Sequence, residues 1–243
     1  MALGQPGFAG KMARMKNTAM HGNANYDLLG LVPKGIARVV EVGCSSGALG
    51  AAFLVDNPGV EYIGIEVDPE YAETAREIVS EVVVADIEKM EDKSFEILFP
   101  TDCWIFGDVL EHLYDPWRVL RRIRASMTED GSIVACIPNA QHWSVQGRLN
   151  LGLFQYQDDG LMDRTHIRWF TRRTIIELFE SSGFTIEEMG GRVFEEEGRE
   201  KVMQGIRAFA VSLGSDPEVA EKDATPFQWL LRARPTKPRP LPA

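Results

Sequence analysis

The sequence predicts an α/β protein with a single doubly wound, mostly parallel seven-stranded sheet and an inserted lid after the fifth strand. Up to residue 137, short β-branched runs alternate with helical stretches, and such alternation gives right-handed crossovers between parallel strands. The 243 residues, 44% apolar and 26% charged, are enough for one large core. We therefore expect one domain over residues 25–234, preceded by a flexible arm or cap at 1–24 and followed by a Pro-rich tail at 235–243.

The first part of the chain carries five candidate strands that are rich in β-branched and aromatic residues. They span residues 38–42, 60–66, 81–85, 103–106 and 132–137. Helical periodicity predicts helices at 25–32, 48–55, 69–80 and 116–127. Because the strands are apolar on both faces, we expect helices to cover both sides of the sheet.

The regular alternation ends after residue 137. Segment 138–170 is rich in aromatic, His, Arg and Asp residues and is longer than an ordinary connection, so we expect a lid over the functional site. Thr171 should cap a helix that runs to Ser182 and stops at Gly183. Strands at 184–189 and 227–233, with a helix at 195–213 between them, complete the prediction.

The charge balance argues against nucleic acid as a partner. Lys and Arg total 26 against 36 Asp and Glu, a net charge of −10, whereas proteins that bind nucleic acid through non-specific phosphate contacts usually carry net positive charge. With no apolar run of the ~20 residues that a membrane helix needs and no apolar core of a signal peptide, we expect a cytoplasmic protein without a membrane span. Cys44, Cys103 and Cys136 are odd in number and far apart, which predicts buried packing residues.

The first strand runs into a turn of small residues, Gly43-Cys-Ser-Ser-Gly47, and then into a helix. Backbone N–H groups of such a turn face the carboxyl edge of the sheet, where open α/β folds bind ligands. Glycines at 43, 47 and 50 do not fit the GxGxxG register, which disfavours a nicotinamide-dependent oxidoreductase. The turn predicts a ligand site, with simple chain reversal as the other interpretation.

Carboxylates end the next two strands. Glu66 comes 23 residues after Gly43, at the position from which an acid accepts the hydroxyls of a ribose. Asp86 could accept from an exocyclic amine while Ile87 packs against a base. Each acid alone could be a solvated strand end or a helix cap, but together they favour a nucleoside site.

These residues together resemble the class I S-adenosylmethionine-dependent methyltransferases. The resemblance covers residues 25–234 and rests on Glu41-x-Gly43-x-x-x-Gly47, Glu66, Asp86 and the block Asp108-Val-Leu-Glu-His-Leu-Tyr-Asp-Pro116. It implies a Rossmann-like fold, with S-adenosyl-L-methionine as cofactor and S-adenosyl-L-homocysteine as product. The implied cofactor residues are Glu41, Gly43, Cys44, Gly47, Glu66, Asp86, Ile87, Gly107 and Asp108. Ser45 stands where the family loop commonly has a glycine.

Two further motifs resemble a bacterial subgroup related to the ubiquinone-pathway O-methyltransferases, often associated with surface-glycan or small-metabolite modification. They are Ile137-Pro-Asn-Ala-Gln-His142 and Asp163-Arg-Thr-His-Ile-Arg-Trp-Phe-Thr171. The resemblance implies transfer to a hydroxyl of a small-molecule acceptor, such as a sugar. An amine acceptor and a non-catalytic nucleoside-binding module stay alternatives, and a homo-oligomer is compatible with the sequence.

A hydroxyl acceptor benefits from a general base as well as from alignment with the methyl group. His112, His142 and His166 fall in segments that should border the carboxyl edge, and Asp163 could orient the His166 imidazole. Alternatively, His142 is a packed hinge residue, and residues 163–166 form a hydrogen-bonded turn.

Asp108, Glu111 and His112 are spaced to share one face of a predicted helix. We expect Asp108 and Glu111 to form a capping box. In the related ubiquinone-type enzymes this acidic-x-x-Glu-His pattern can hold a divalent metal, so a metal stays an alternative and we assign no metal ligand.

The predicted lid carries arginines that could hold a phosphate or carboxylate of the acceptor. They are Arg148, Arg164 and Arg168. Pairing with Asp158, Asp159 and Asp163 at the surface is the favoured alternative.

Overall fold

The computed structural model describes residues 22–194 and 197–236. The predicted N-terminal arm and the Pro-rich tail therefore lie almost wholly outside the described residues, and Glu195 and Glu196 at the start of the predicted helix 195–213 do so too.

Seven strands form one sheet within the described ranges, as predicted. They are β1 Arg38–Val42, β2 Glu61–Glu66, β3 Glu81–Val84, β4 Cys103–Gly107, β5 Ser132–Pro138, β6 Phe184–Arg192 and β7 Gln228–Pro235. Their order is β3-β2-β1-β4-β5-β7-β6. Strands β1 to β5 are parallel, whereas β7 is antiparallel to both β5 and β6. Chain order reverses between β1 and β4, and open α/β sheets bind ligands at such a switch point.

Helices cover both faces of this sheet. They are α1 Tyr26–Leu29, α2 Ala48–Asp56, α3 Pro69–Ala75, α4 Asp92–Glu96, α5 Pro116–Ser126, α6 Trp143–Asn150, α7 Arg172–Ser181, α8 Arg199–Ser212 and α9 Pro217–Ala224, with 3₁₀ turns at Leu110–His112 and Gly160–Met162. Among the described helices, none is long and apolar enough to cross a bilayer.

Strand residues divide the core into two apolar layers because successive side chains point to opposite faces. Val40 and Trp104 belong to the layer under α5 and α7, and Tyr62 and Ile105 belong to the layer under α2 and α3. Free, buried thiols at Cys44, Cys103 and Cys136 confirm the packing role predicted for these residues.

Capping side chains set where several helices begin. Asn25 accepts the Leu28 N–H at 3.1 Å, and Thr171 caps α7 in a capping box with Thr174, as predicted for Thr171. Helix α3 ends at Ala75, short of the predicted residue 80. Helices α4, α6 and α9 are not predicted because each is short and lacks a clear apolar stripe, although Asp216 followed by Pro217 is a helix-start pattern.

The segment 138–170 is more regular than predicted. Its first half forms α6, whose Trp143 packs with Met203 of α8. Its second half returns over the sheet edge, where the N–H groups of Ile167 and Arg168 donate to the Glu111 carbonyl oxygen at 3.0 and 2.9 Å. Apart from Pro138 at the end of β5, only this second half of the segment borders the cavity described next.

Candidate active site

An open cavity of about 360 Å³ lies at the carboxyl ends of β1 and β4, where the fold predicts a ligand. Its walls come from residues 23–28, the loop after β1, the turn after β4, the ends of β6 and β7 and residues 158–166 of the predicted lid. Eight of the predicted site residues line it: Glu41, Gly43, Cys44, Gly107, Asp108, His112, Asp163 and His166.

The loop after β1 makes a left-handed turn that depends on small residues. Gly43, Ser45 and Gly47 have φ of +70°, +49° and +84°. A Cβ on Gly43 would lie 2.7 Å from the Val109 side chain, so no larger residue fits. Ser45 adopts a left-handed conformation that glycine accepts at lower energy. The turn therefore forms with a serine at this position.

Glu66 ties this loop to the end of β2. One carboxylate oxygen accepts the Ser45 N–H at 2.8 Å and the other accepts the Asp68 N–H at 2.8 Å. The side chain is buried and lies behind the cavity wall. Each oxygen retains a further acceptor position, so the ribose role of Glu66 stays a prediction.

Three other predicted cofactor residues also lie outside the cavity wall. Asp86 accepts from the Glu88 N–H at 3.0 Å and pairs with Lys89 at 2.6 Å. Ile87 is buried in the core layer under α5, which differs from the predicted contact with a base. Gly47 is the N-cap of α2.

Glu41 is a buried acid in the cavity wall. Its carboxyl group accepts the Tyr62 hydroxyl at 2.8 Å. Burial, opposed by this hydrogen bond and reinforced by the charge of Glu66, raises the pKa of Glu41 to about 8. The group is therefore protonated near neutral pH.

Asp108 belongs to a polar chain that the sequence analysis missed. Its carboxylate accepts from the Gln228 amide at 2.6 Å, and Gln228 accepts from Arg192 at 3.2 Å. Arg192 then pairs with Asp27 at 3.2 Å. Gln228 and Arg192 line the cavity, but only the pairing of β7 with β5 and β6 brings them there, and no local pattern indicates it.

The predicted capping box of Asp108 and Glu111 is wrong. Asp108 has φ +55° and bonds to Gln228 instead of to a helix N-terminus. The following 3₁₀ turn has Val109 at its N-cap without a side-chain hydrogen bond. Helix α5 begins later, at Pro116, where Asp115 accepts the Arg118 N–H at 2.9 Å.

Two imidazoles and a buried carboxylate meet at the cavity wall. Glu111 is 1% exposed, and neither carboxylate oxygen has a hydrogen-bond partner. Glu111 Oε1 lies 3.9 Å from Nε2 of His112 and 3.8 Å from Nε2 of His166. Burial raises the pKa of Glu111, while burial and the nearby His112 lower the pKa of His166 to about 4.

Asp163 does not orient His166 as in a triad. Its carboxylate accepts from the backbone N–H and the hydroxyl of Thr165, at 2.7 and 2.6 Å. His166 Nδ1 faces the Leu161 carbonyl oxygen at 3.3 Å instead. The hydrogen-bonded turn is therefore the arrangement observed.

His142 lies outside the cavity wall, as the N-cap of α6. It is 1% exposed, bonds to the Ser144 hydroxyl at 2.8 Å and packs against Trp143 and Phe227. Burial, assisted by the charge of Arg199, lowers its pKa to about 4. These contacts match the packed-residue interpretation.

The lid arginines also lie outside the cavity wall. Arg164 pairs with Asp158 at 2.5 Å, as the surface-pairing alternative predicts. Arg148 donates to Gln157 at 3.1 Å, and Arg168 donates to the Tyr114 carbonyl oxygen at 3.0 Å. Their contacts are therefore structural in the described conformation.

Strand order, the turn after β1 and the cavity at the switch point define an α/β fold with a candidate ligand site at the carboxyl edge of its sheet. Residues 16–189 match the model of a family described as a methyltransferase domain, a match over more than half of the chain. The chain belongs to this methyltransferase family, which confirms the predicted enzyme class. Comparison with curated proteins finds no match.

Solved methyltransferase structures share the fold. A SAM-dependent methyltransferase from Archaeoglobus fulgidus has 20% identity and a TM-score of 0.54, over 83% of this chain and 87% of that chain. The plantazolicin methyltransferase BpumL in complex with SAH has 13% identity and a TM-score of 0.55, over 87% and 80%. The mitomycin 7-O-methyltransferase MmcR has 20% identity and a TM-score of 0.54 over 86% of this chain, which spans only 52% of MmcR. At these identities the likeness shows the fold alone.

Proposed function

We propose that the protein transfers the methyl group of S-adenosyl-L-methionine to a hydroxyl of a small polar metabolite, such as a sugar or glycan precursor. One observation carries the proposal: the turn after β1 and the imidazoles of His112 and His166 line the same cavity. Methyl transfer from a sulfonium is an in-line displacement, so aligning donor and acceptor supplies much of the acceleration. A group that removes the acceptor proton adds to it.

The cofactor would occupy the β1 side of the cavity. Gly43 and Cys44 would contact its methionyl part, while Gly107 and Asp108 would lie near the methionyl amine. Glu66 would bind the ribose and Asp86 the adenine amine. Besides the protonated Glu41, four acids line the cavity: Asp108, Asp158, Asp159 and Asp163. Such a lining favours a cationic ligand, and S-adenosylmethionine carries both a sulfonium and an ammonium group.

The acceptor would occupy the side of the cavity formed by the lid and the turn after β4. His112 and His166 are the only imidazoles among the described residues that line the cavity. The lowered pKa of His166 keeps its imidazole neutral at physiological pH. Together with Glu111 behind them, these two side chains would activate the acceptor hydroxyl.

An amine acceptor is the second candidate, because Asp159 lines the cavity and could accept a hydrogen bond from the N–H of a neutral amine. An amine that has already lost its proton needs no general base. Substitution of the two histidines would then change the turnover number only through alignment.

The test is an acceptor screen with S-adenosylmethionine, in which mass spectrometry detects methylated hydroxyl and amine compounds. For a hydroxyl acceptor, we expect His112→Gln and His166→Gln to lower kcat by about 100-fold or more. Arg173→Gln, on the exposed face of α7, is the control and should leave kcat unchanged. Tight S-adenosylhomocysteine binding without methylation of any acceptor would favour a nucleoside-binding module. Binding of NADH in its place would favour an oxidoreductase.

A further inference from the structure

We infer that Glu111, His112 and His166 bind one divalent transition-metal ion at the inner wall of the cavity. The inference rests on the proposed function only for the role of the ion, which is to activate the acceptor hydroxyl. Binding of the ion itself follows from the geometry of the three side chains.

The three donor atoms have nearly the separation that a shared ion requires. Each offers one ligand atom, and these atoms all lie within 4.8 Å of one another. The Glu111 to imidazole gaps of 3.8 and 3.9 Å are longer than hydrogen bonds. Two ligands at about 2.1 Å from one ion in tetrahedral geometry lie about 3.4 Å apart. The two gaps to Glu111 must therefore close by about half an ångström, and the widest separation in the set, at most 4.8 Å, by up to about 1.4 Å.

Both imidazoles are held in the tautomer that suits a ligand. His112 Nδ1 lies 3.1 Å from the Thr165 carbonyl oxygen, and His166 Nδ1 lies 3.3 Å from the Leu161 carbonyl oxygen. A carbonyl oxygen only accepts, so Nδ1 carries the proton in each ring and Nε2 carries the lone pair. Metal-binding histidines commonly donate their other N–H to a backbone carbonyl in this way.

Glu111 supplies the second, independent observation. Its carboxylate is 1% exposed, and neither oxygen has a hydrogen-bond partner. A buried carboxylate without partners is costly, and an ion between Glu111 and the two imidazoles would compensate its charge. A bound ion would therefore explain why a carboxylate without hydrogen-bond partners is buried at this position.

This ligand set differs from the acidic-x-x-Glu-His pattern of the ubiquinone-type enzymes. In that pattern Asp108 would be the third ligand, but here its carboxylate bonds to Gln228 at 2.6 Å. His166 of the lid segment takes the third place. The site thus joins the lid to the turn after β4.

Two nitrogens and one carboxylate favour Zn²⁺, Co²⁺ or Mn²⁺ over Mg²⁺ and Ca²⁺, which prefer oxygen ligands. His112 and His166 line the cavity while Glu111 lies behind them, so open coordination positions would face the acceptor. A bound ion would lower the pKa of an acceptor hydroxyl there.

The test is a titration of chelator-treated full-length protein with CoCl₂, followed by calorimetry and by visible absorption. We expect one ion per chain. Glu111→Gln and His166→Gln should each weaken binding by about 10- to 100-fold or more. Asp108→Asn should bind Co²⁺ as the unmodified protein does. Equal S-adenosylhomocysteine affinity of Glu111→Gln and His166→Gln would show that these two variants are folded, and unchanged circular dichroism would show the same for Asp108→Asn.

Binding that is equally weak in all proteins would overturn the inference. Loss of Co²⁺ binding in Asp108→Asn, with His166→Gln unaffected, would also overturn it and would restore the pattern of the ubiquinone-type enzymes. Undiminished methyl transfer in the chelator-treated protein, with no Co²⁺ binding, would reject the ion and leave the proposed function standing. Tight Co²⁺ binding without methyl transfer to any acceptor would support the metal site and reject the proposed function.

Discussion

At the residue scale, the carboxylate of Glu66 supports the turn beside the cavity. Glu66 accepts backbone N–H groups of Ser45 and Asp68, so it holds the turn after β1 before any ligand arrives. The same oxygens keep lone pairs that could accept the ribose hydroxyls. Loss of this side chain should therefore affect both the turn and the ligand.

Glu66→Ala should weaken S-adenosylhomocysteine binding by about 1–3 kcal/mol, because hydrogen bonds to the ribose and support for the turn are both removed. Calorimetry measures the change, with Glu73→Ala on the exposed surface of α3 as control. Glu66→Gln keeps the side-chain length and separates the two effects. An affinity equal to that of the unmodified protein would refute the role of Glu66.

Glu41 should make the ligand-free protein less stable as pH rises. Its pKa is about 8 in the folded state against an ordinary 4.5, so its contribution to stability is complete below 4.5 and is lost as pH rises through 8. Between about pH 5 and about pH 8, this loss should reach roughly 3 kcal/mol. Glu41→Gln keeps an acceptor for the Tyr62 hydroxyl but does not titrate.

Urea unfolding at both pH values checks this prediction. The free energy of unfolding should fall less with rising pH in Glu41→Gln than in the unmodified protein. Parallel pH profiles for the two proteins would show that the Glu41 carboxyl group is not held protonated by burial.

At the scale of elements, His142 shows that a histidine predicted to be a general base can instead cap a helix. Its imidazole caps α6 and is buried against Phe227. The motif around it suggested a base beside the acceptor, because a His soon after β5 could face the cavity. Instead, its ring packs against Trp143 and Phe227 and lies outside the cavity wall.

His142→Asn should make folding less sensitive to acid. The pKa of His142 is about 4 in the folded state against an ordinary 6.5, so its stabilising contribution is present above 6.5 and is lost as pH falls towards 4. By about pH 5 the loss should reach roughly 2 kcal/mol. Asn is a good N-cap, so α6 should remain formed in the variant.

Thermal and urea unfolding between about pH 7 and about pH 5 would measure this difference. The unmodified protein should lose more stability than His142→Asn over that interval. If both proteins lose the same amount, the imidazole is not kept neutral by its packing.

Secondary structure followed the sequence pattern most closely where elements are buried. The five parallel strands match their predicted positions within one or two residues, because apolar runs bounded by turns mark them. The helix predicted directly after β4 is wrong. Asp108 adopts a positive φ, so the residues that follow it at helical spacing do not share one face of a helix with it. The spacing of residues in the sequence cannot reveal that the backbone leaves the helical conformation at one of them.

At the scale of the whole molecule, the turn after β1 could be predicted because its residues are close in sequence. The other side of the cavity could not. Glu111 and His166 are brought together by the return of the lid over β4, and Arg192 and Gln228 by the pairing of the last strands. These contacts depend on tertiary folding, which local patterns do not encode.

The position of β7, the last strand in the chain, between β5 and β6 has a consequence for biosynthesis. The side chain that bonds to Asp108 comes from Gln228, so a nascent chain on the ribosome carries the turn after β1 long before the cavity wall is complete. Until β7 emerges and inserts between β5 and β6, the backbone groups along that edge of β5 stay unpaired. Chaperone binding and ribosome-stalled fragments that end before residue 228 should reveal this late assembly step.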